Sequence, residues 1–484
     1  MEHVLTNETM RLIDRYMIEK IGIPGAVLME NAASCAADAV LECGKTGRCL
    51  VLIGPGNNGG DGLALMRILA SRGRESTGIL LCDPSKFSGD AALNYSIVKH
   101  LGLPLSTDLS LIDGAEIIID AVFGTGLARD ITGIQREAIR RANISCAYRI
   151  AIDIPSGING DTGKIMGDCF NADETIAVFA VKRGLLLTER LESVGRIRTA
   201  RIGMVDDKMQ QLIETETIVD EAFVRSLLPT RRRVSNKGTY GRTLIIAGSR
   251  NMPGAAVMCT RAVLRTGSGL TRTIVPCGIE SAFASTPETM LICDDGTLDI
   301  NEQLEWTDAA AIGCGMGSDP RKYEKTEAVL RSGKRAVIDA DGLNLMDERL
   351  RELLSGNNVI TPHPGEMARL TGASAADILA DPVSAAQGFA SRYGCTVLLK
   401  NAVSVIASPD GRIRYNTAGN PGLAKGGSGD VLCGIIAALL AAGLDPFDAA
   451  SAGAYILGTA ADKAFALLGE RMLIAGDVID ALDY

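Results

Sequence analysis

The feature that most constrains this chain is an alternation. From about residue 48, short runs rich in Val, Ile and Leu, each closed by Gly, Pro or Asp, alternate with stretches of helical character. The runs at 49–53, 77–82, 116–123, 148–154 and 174–181 are predicted as buried strands, with helices over 61–72 and 88–101. Buried strands that alternate with helices imply a mostly parallel sheet covered on both faces. Residues 6–43 precede them as a helical lead-in, in which AVLMENAASCAADAV reads as a packed helix. A second series of strands is predicted at 242–248, 270–276, 310–315, 335–340, 358–362, 396–400 and 403–408.

A chain of 484 residues is too long for one ordinary domain. The polar, acidic stretch 205–222 interrupts the pattern and is the expected boundary, giving domains at 1–215 and 220–484. The basic cluster Arg231, Arg232, Arg233, Lys237 and Arg242 just beyond it reads as a solvated loop. With no internal repeat between the halves, two different α/β domains are expected.

Composition narrows the function classes. The net charge of −9 argues against nucleic acid as the main partner, although local cations and helix N-termini suffice for a small anion. The acidic, polar N-terminus does not read as a signal peptide, and no apolar run reaches the length that spans a bilayer. The 12 cysteines form no CxxC pair. They are expected as reduced core fillers, Cys49, Cys293 and Cys395 lying in apolar runs. Only His3, His100 and His363 are present, too few for a His-rich metal centre.

In the first half, three Gly-rich loops each follow a predicted strand: GPGNNGGDG (54–62), FGTGLARD (123–130) after Asp120, and IPSGING (154–160) after Asp153. Open parallel sheets bind ligands at this edge. Glycines let the backbone approach a ligand and present N–H groups to anionic oxygens, while Asp120 and Asp153 would repel a phosphate. A cation held by the hard oxygens of Asn58, Asp120 and Ser156 could resolve that conflict, and the residues alone leave it open. The alternative is an ordinary turn with capping aspartates. GPGNNGGDG lacks the spacing of a dinucleotide fingerprint, which makes an NAD-linked dehydrogenase a poor reading.

In the second half, KGGSGDVLCGIIAALLAAG (425–443) places a flexible turn of Gly426, Gly427 and Gly429 before a long apolar helix starting near Gly429 and Asp430. Free N–H groups at that helix start form an anion hole for a transferring phosphoryl group. Asp430 beside them can accept the proton of an attacking hydroxyl, where an isolated Asp would be only a cap. His363 and Glu366 follow a strand end, as do Lys400 and its turn. Asp339, Asp341 and Asn344 occupy another strand end, near any magnesium–phosphate complex.

These residues carry a resemblance. The GxGD-type loop is similar to that of the ribokinase-like superfamily. HPGE (363–366), NPGLAKGGSGDVLCG (420–434) and NKGTYGRTLIIAGS (236–249) resemble its NAD(P)H-hydrate dehydratase branch. NNGGDGL (57–63), DAVFGTGL (120–127) and DIPSGING (153–160) resemble the NAD(P)H-hydrate epimerase domain. Together they cover nearly the whole chain, in the order of the bacterial bifunctional NAD(P)H-hydrate repair family. Here the loop reads GGSGD where many superfamily kinases have GAGD, a small-for-small exchange.

The resemblance implies two three-layer α/β/α domains, the N-terminal one Rossmann-like and the C-terminal one ribokinase-like. It implies that the first interconverts the R and S epimers at C6 of the hydrated nicotinamide. The second would phosphorylate the S epimer's hydroxyl with ADP or ATP and release phosphate, restoring NAD(P)H. Epimerase substrate contacts would come from Asn57, Asn58, Gly59, Gly60 and Asp61, from Gly124, Thr125, Gly126, Leu127, Ala128, Arg129 and Asp130, and from Asp153, which would handle the proton or hydroxyl. Asn58, Asp120 and Ser156 would hold potassium. Ala255, Gly317 and His363 would line the hydrated dinucleotide. Lys400, Asn401, Ala402, Val403, Ser404 and Gly429 would hold the adenine nucleotide with magnesium, and Asp430 would be the base. A cytoplasmic homo-oligomer with no membrane or nucleic-acid partner is expected. Two other readings remain at this point: a small-molecule kinase of the same superfamily, and an N-terminal half that binds without catalysing.

Overall fold

The computed structural model describes residues 1–203, 209, 213, 215–317 and 319–484. Part of the stretch expected as a boundary, 205–208, 210–212 and 214, lies outside the described residues. The chain divides into two compact units, Glu2–Glu214 and Met1 with Thr215–Tyr484.

In the first unit a seven-stranded sheet is parallel throughout. Its strands are β2 (Cys49–Ile53), β3 (Thr77–Leu80), β4 (Leu105–Ser106), β5 (Ile117–Ala121), β6 (Tyr148–Ile152), β7 (Glu174–Val178) and β9 (Arg196–Ala200), in the spatial order β4-β3-β2-β5-β6-β7-β9. A separate parallel pair joins β1 (Glu2–Leu5) to β8 (Val181–Lys182). Side chains of a strand point alternately to its two faces. Val51 and Ile53 accordingly pack with the helices Gly25–Glu42, Asn57–Ser71 and Gly89–His100, while Leu50 and Leu52 pack with Gly133–Ile144. That two-sided burial produces the apolar runs seen in the sequence.

The helix expected over 61–72 starts earlier, at Asn57, so the residues from Asn57 to Asp61 are helical rather than a loop. The reason is packing. A Cβ on Gly59 would fall 1.9 Å from Gly54 O, one on Gly60 2.7 Å from Met29 Cε, and one on Gly62 2.6 Å from Ala121 Cβ. These glycines let the first helical turn press against its neighbours.

The second unit carries β10 (Glu216–Ile218), β11 (Arg242–Ile246), β12 (Leu270–Pro276), β13 (Met290–Asp294), β14 (Ala309–Ile312), β15 (Arg335–Ile338), β16 (Asn358–Ile360), β17 (Thr396–Leu399), β18 (Ser404–Ala407) and β19 (Ile413–Asn416). The spatial order is β13-β12-β11-β14-β15-β16-β17-β18-β19-β10, parallel except for β18, which is antiparallel to both neighbours. One face is covered by the helices Pro253–Thr266, Ser428–Ala441 and Pro446–Leu468. A Cβ on Gly434 would lie 2.4 Å from Cys259 O, so the first two of these helices meet backbone to backbone. That contact explains the small residues of the apolar helix.

The boundary stretch gains detail, and two other expectations are corrected. The end of the 205–222 stretch is structured: β10 pairs with β19, and Asp220 caps the helix Glu221–Leu227. Arg231 is not merely solvated, since it stacks 4.3 Å over Tyr240 and donates to Gly267 O. The cysteines are all free, but Cys146, Cys277 and Cys293 are exposed, so core filling does not describe them.

Candidate active sites

In the first unit, β3 and β4 lie on one side of β2 while β5, β6 and β7 lie on the other. The chain therefore reverses direction at β2 and β5, and the crevice beyond their C-terminal ends is where such sheets bind ligands. The segments after β2, β5 and β6 converge there. A Cβ on Gly124 would lie 2.8 Å from Asp153 Oδ2 and 3.7 Å from the Asn58 Cβ. Thr125 N–H donates to Asp153 Oδ2 at 3.2 Å, and Leu127 N–H turns back to Gly124 O at 3.3 Å. Ala128, Arg129 and Asp130 continue outward as exposed residues.

Asp120 and Ser156 are fully buried. Ser156 donates through its backbone N–H to Asp120 Oδ2 at 2.7 Å and through its hydroxyl to Asp120 Oδ1 at 2.7 Å. Burial nevertheless pushes the Asp120 carboxyl up to about 6, against the lowering effect of those bonds. Asn58 is 7% exposed, and neither side-chain atom has a hydrogen-bond partner. A buried amide without partners is costly and rare. Asn58 opens the helix after β2 and Asp120 lies in the neighbouring strand β5, and both carry oxygens of the kind a hard cation takes.

Asp153 adopts φ 73°, a strained conformation for a residue with a side chain. It is held by an ion pair of 2.5 Å with Lys182, which is fully buried. Two more carboxyls sit in this field. Burial, reinforced by Asp153 and opposed by Lys182, pushes Asp14 up to about 6. Burial, with Asp153 and Asp14 adding to it, holds Asp61 well above the usual carboxylate range, which favours its protonated form. Sequence reasoning missed Lys182 and Asp14. The available signal was a lysine directly after an apolar strand, where a charge has to find a partner.

The second unit repeats the logic. β12 and β13 lie on one side of β11 and β14 lies on the other, which puts the switch point between β11 and β14. Ala255 stands in the first turn of the helix after β11, and Gly315 and Gly317 lie in the turn after β14. A Cβ on Gly315 would fall 2.6 Å from Ala255 Cβ, and one on Gly317 2.9 Å from Ser249 Oγ. Ser249 is buried with no partner for its hydroxyl, a further candidate contact that the sequence reading did not single out.

Gly427 is left-handed at φ 101°, and the helix Ser428–Ala441 starts immediately after it without a side-chain cap. Its first N–H groups are therefore left for a ligand. Asp430 stands in that first turn, and a methyl group on Gly429 would lie 3.3 Å from Asp339 Oδ2 and 3.6 Å from Lys400 Nζ. Burial pushes Asp430 up to about 6; the Cys314 thiol, hydrogen-bonded to it, and Lys400 pull the other way, while Asp339 adds to the rise. Lys400 pairs with Asp339 at 2.8 Å and faces Glu366 at 3.8 Å. Burial works against its charge, but these carboxylates outweigh that and hold the ammonium above its ordinary range. Asn401 and Ala402 form an exposed tip before Val403 and Ser404.

HPGE is a capping box. His363 Nδ1 accepts from Gly365 N–H at 3.0 Å, and Glu366 Oε2 accepts from His363 N–H at 2.8 Å. The ring is half exposed, and Nε2, 3.6 Å from Glu366 Oε2, is left to donate. Asp341 and Asn344 are engaged elsewhere, the first accepting from Gly317 N–H at 2.7 Å and the second from Arg369. Asp339 and Glu366 are the carboxylates that face Lys400.

Residues 243–481 match the family described as NAD(P)H-hydrate dehydratase, and residues 25–184 match the family described as YjeF-related protein N-terminus. The bifunctional NAD(P)H-hydrate repair enzyme of Moorella thermoacetica is 37% identical over 514 residues, covering 100% of this chain and 96% of its own. The enzyme of that name from Escherichia coli is 36% identical over 440 residues, covering 90% and 84%. The solved structure of a ribokinase-like superfamily protein from Enterococcus faecalis is 26% identical, with a TM-score of 0.50, and covers 56% of this chain and 95% of that one.

Proposed function

Because the chain belongs to the bifunctional NAD(P)H-hydrate repair enzymes, with an epimerase and a dehydratase domain, we propose how its own residues divide the work. Residues 1–215 interconvert the C6 epimers, and residues 220–484 convert the S epimer to NAD(P)H at the expense of ADP or ATP. The observation that carries the second assignment is the placement of Asp430. Its carboxyl, near pKa 6, stands in the first turn of an uncapped helix, beside the Lys400–Asp339 pair.

The dehydratase chemistry follows from that placement. Asp430, largely ionised near pH 7, accepts the proton of the C6 hydroxyl as its oxygen attacks the terminal phosphoryl group. The amides from Gly429 onward hold the phosphoryl oxygens, and Lys400 offsets their charge. The C6 phosphate is attached beside the ring nitrogen, whose lone pair assists its departure. Loss of a proton from C5 then restores the double bond. Magnesium bound with the nucleotide would screen its phosphates, and Asp339 and Glu366, which face Lys400, would be carboxylates within the same half of the site.

At the epimerase site the C6 hydroxyl belongs to a hemiaminal, so departure of water leaves a planar carbon open to re-addition on either face. Asp61, whose protonated form burial favours, can protonate the leaving hydroxyl, and Asp153, paired with Lys182, can take the proton of the returning water. Potassium held by Asn58, Asp120 and Ser156 would neutralise Asp120 and allow an anionic ligand nearby. A cytoplasmic setting fits cysteines that are all free, and among the described residues no helix is long and apolar enough to cross a membrane. A homo-oligomer is part of this reading and is checked by light scattering.

The test starts from one purified epimer, with chromatography following the appearance of the other. Potassium should accelerate the wild type, and Asp153→Asn should lose most of the rate. A wild-type rate in that variant removes Asp153 from the mechanism. Accumulation of a stable phosphoester with either nucleotide would contradict the dehydratase assignment and favour a kinase.

A further inference from the structure

Two of the cysteines that core filling does not explain lie together. Cys277 follows β12, and Cys293 belongs to the neighbouring strand β13, at the edge of the sheet. The register pairs Val275 with Cys293, and Cys277 N–H donates to Asp294 O at 3.3 Å, which brings the two thiols side by side. Glu280 reaches back to the same point. Its Oε2 accepts from Gly278 N–H at 2.8 Å, and its Oε1 accepts from the Cys293 thiol at 3.0 Å. The three donor atoms all lie within 4.8 Å of one another, on side chains open to solvent.

We propose that Cys277, Glu280 and Cys293 form a surface site for a thiophilic divalent cation of the zinc class, with water as the fourth ligand. A tetrahedral zinc ion has Zn–S of about 2.3 Å and Zn–O of about 2.1 Å, so its donors stand roughly 3.5–3.8 Å apart. The present spread closes to that by movements of about 1 Å or less. The metal takes the place of the proton shared between Cys293 and Glu280, and both thiol protons pass to solvent. The Gly278 amide already orients the carboxylate, as an outer-shell partner does. Exposure supplies both the entry path and the open coordination position.

The consequence is mechanical. The loop carrying Glu280 also sends Ile279 and Phe283 into the core, and a Cβ on Gly248 would lie 3.1 Å from Ile279 Cδ1 and 3.0 Å from Ala256 Cβ. A metal clasp would tie the edge strand and this loop to β12, bracing the start of the helix that bears Ala255. Cys259, Cys314 and Cys433 also gather within 4.8 Å, but they are sealed in the interior and Cys314 is hydrogen-bonded to Asp430, so they belong to the site already described.

The experiment adds Cd2+ to the fully reduced, metal-free chain and follows sulfur-to-metal charge-transfer absorption in the ultraviolet, with Zn2+ as competitor. One equivalent should saturate the band. Cys277→Ser and Cys293→Ser should each weaken binding by about 100-fold or more, Glu280→Gln by about 10-fold, and Cys146→Ser not at all. As a readout that needs no variant, Zn2+ should protect Cys277 and Cys293 from alkylation while Cys146 still reacts. A missing band, a band that survives both cysteine substitutions, or unprotected thiols at saturating Zn2+ would overturn the proposal.

Discussion

Replacing Asp430 with asparagine should abolish dehydratase turnover and make the protein more stable. In the folded chain this carboxyl titrates at about 6, against 3.8 for an ordinary aspartate. Two units of difference, at about 1.4 kcal/mol each, correspond to about 3 kcal/mol of folding free energy. The sign follows from the direction of the shift. A raised carboxyl takes up its proton in the folded state first, so lowering pH from about 6 to about 4 stabilises the wild type, and above 6 it carries the full penalty. The neutral amide that Asp430→Asn introduces has no charge to bury. The variant should therefore exceed the wild type by up to about 3 kcal/mol near pH 7, and the gap should close near pH 4. The chain has one tryptophan, Trp306, and it lies in the same unit as Asp430. Denaturant curves followed by its fluorescence at several pH values measure the gap. A variant no more stable than the wild type near neutrality, or a gap indifferent to pH, would refute the claim that burial sets this carboxyl.

Further outcomes follow from the same geometry. Lys182→Met leaves the partly buried Asp153 without its cation, among the carboxyls of Asp14 and Asp61. Hydrogen exchange over 148–182 should report a loss of about 3–5 kcal/mol, with epimerase activity gone. Gly427→Ala puts a methyl group 2.5 Å from Met258 Sδ at φ 101°, so phosphoryl transfer should fall at least tenfold while epimerisation by the same preparation is unchanged. His363→Ala removes a helix cap and should lower denaturant stability by about 0.5–2 kcal/mol.

The parts of the fold that were legible are those with one unambiguous signal. β2 has the bounds its apolar run predicted, because a strand buried on both faces carries no polar alternation, and β12 keeps its predicted bounds although Thr271, Arg272 and Thr273 interrupt its apolar residues. Edge and near-edge strands were illegible for the opposite reason. β9 reads RIRTA and is half exposed, β13 is at least partly exposed along most of its length, and β19 hides Arg414 by pairing it with Asp448 at 2.6 Å. At the sites, the loops announced themselves through glycine at strand ends. What escaped was pairing across the fold: Lys182 has its meaning from Asp153, and Cys293 from Cys277 and Glu280, relations that no linear spacing displays. The glycines of NNGGDG were noticed for a reason the structure revises, since they serve helix packing as well as the crevice.

The most direct measurement supplies the full-length chain with an equilibrated mixture of both NADH-hydrate epimers, magnesium and ADP or ATP, and follows the near-ultraviolet absorbance of the restored dihydronicotinamide. The account predicts that the whole mixture is converted, that nothing happens without nucleotide, and that Asp153→Asn stops near the S fraction unless the epimers interconvert on their own. Conversion without nucleotide, or no conversion with either one, would contradict it.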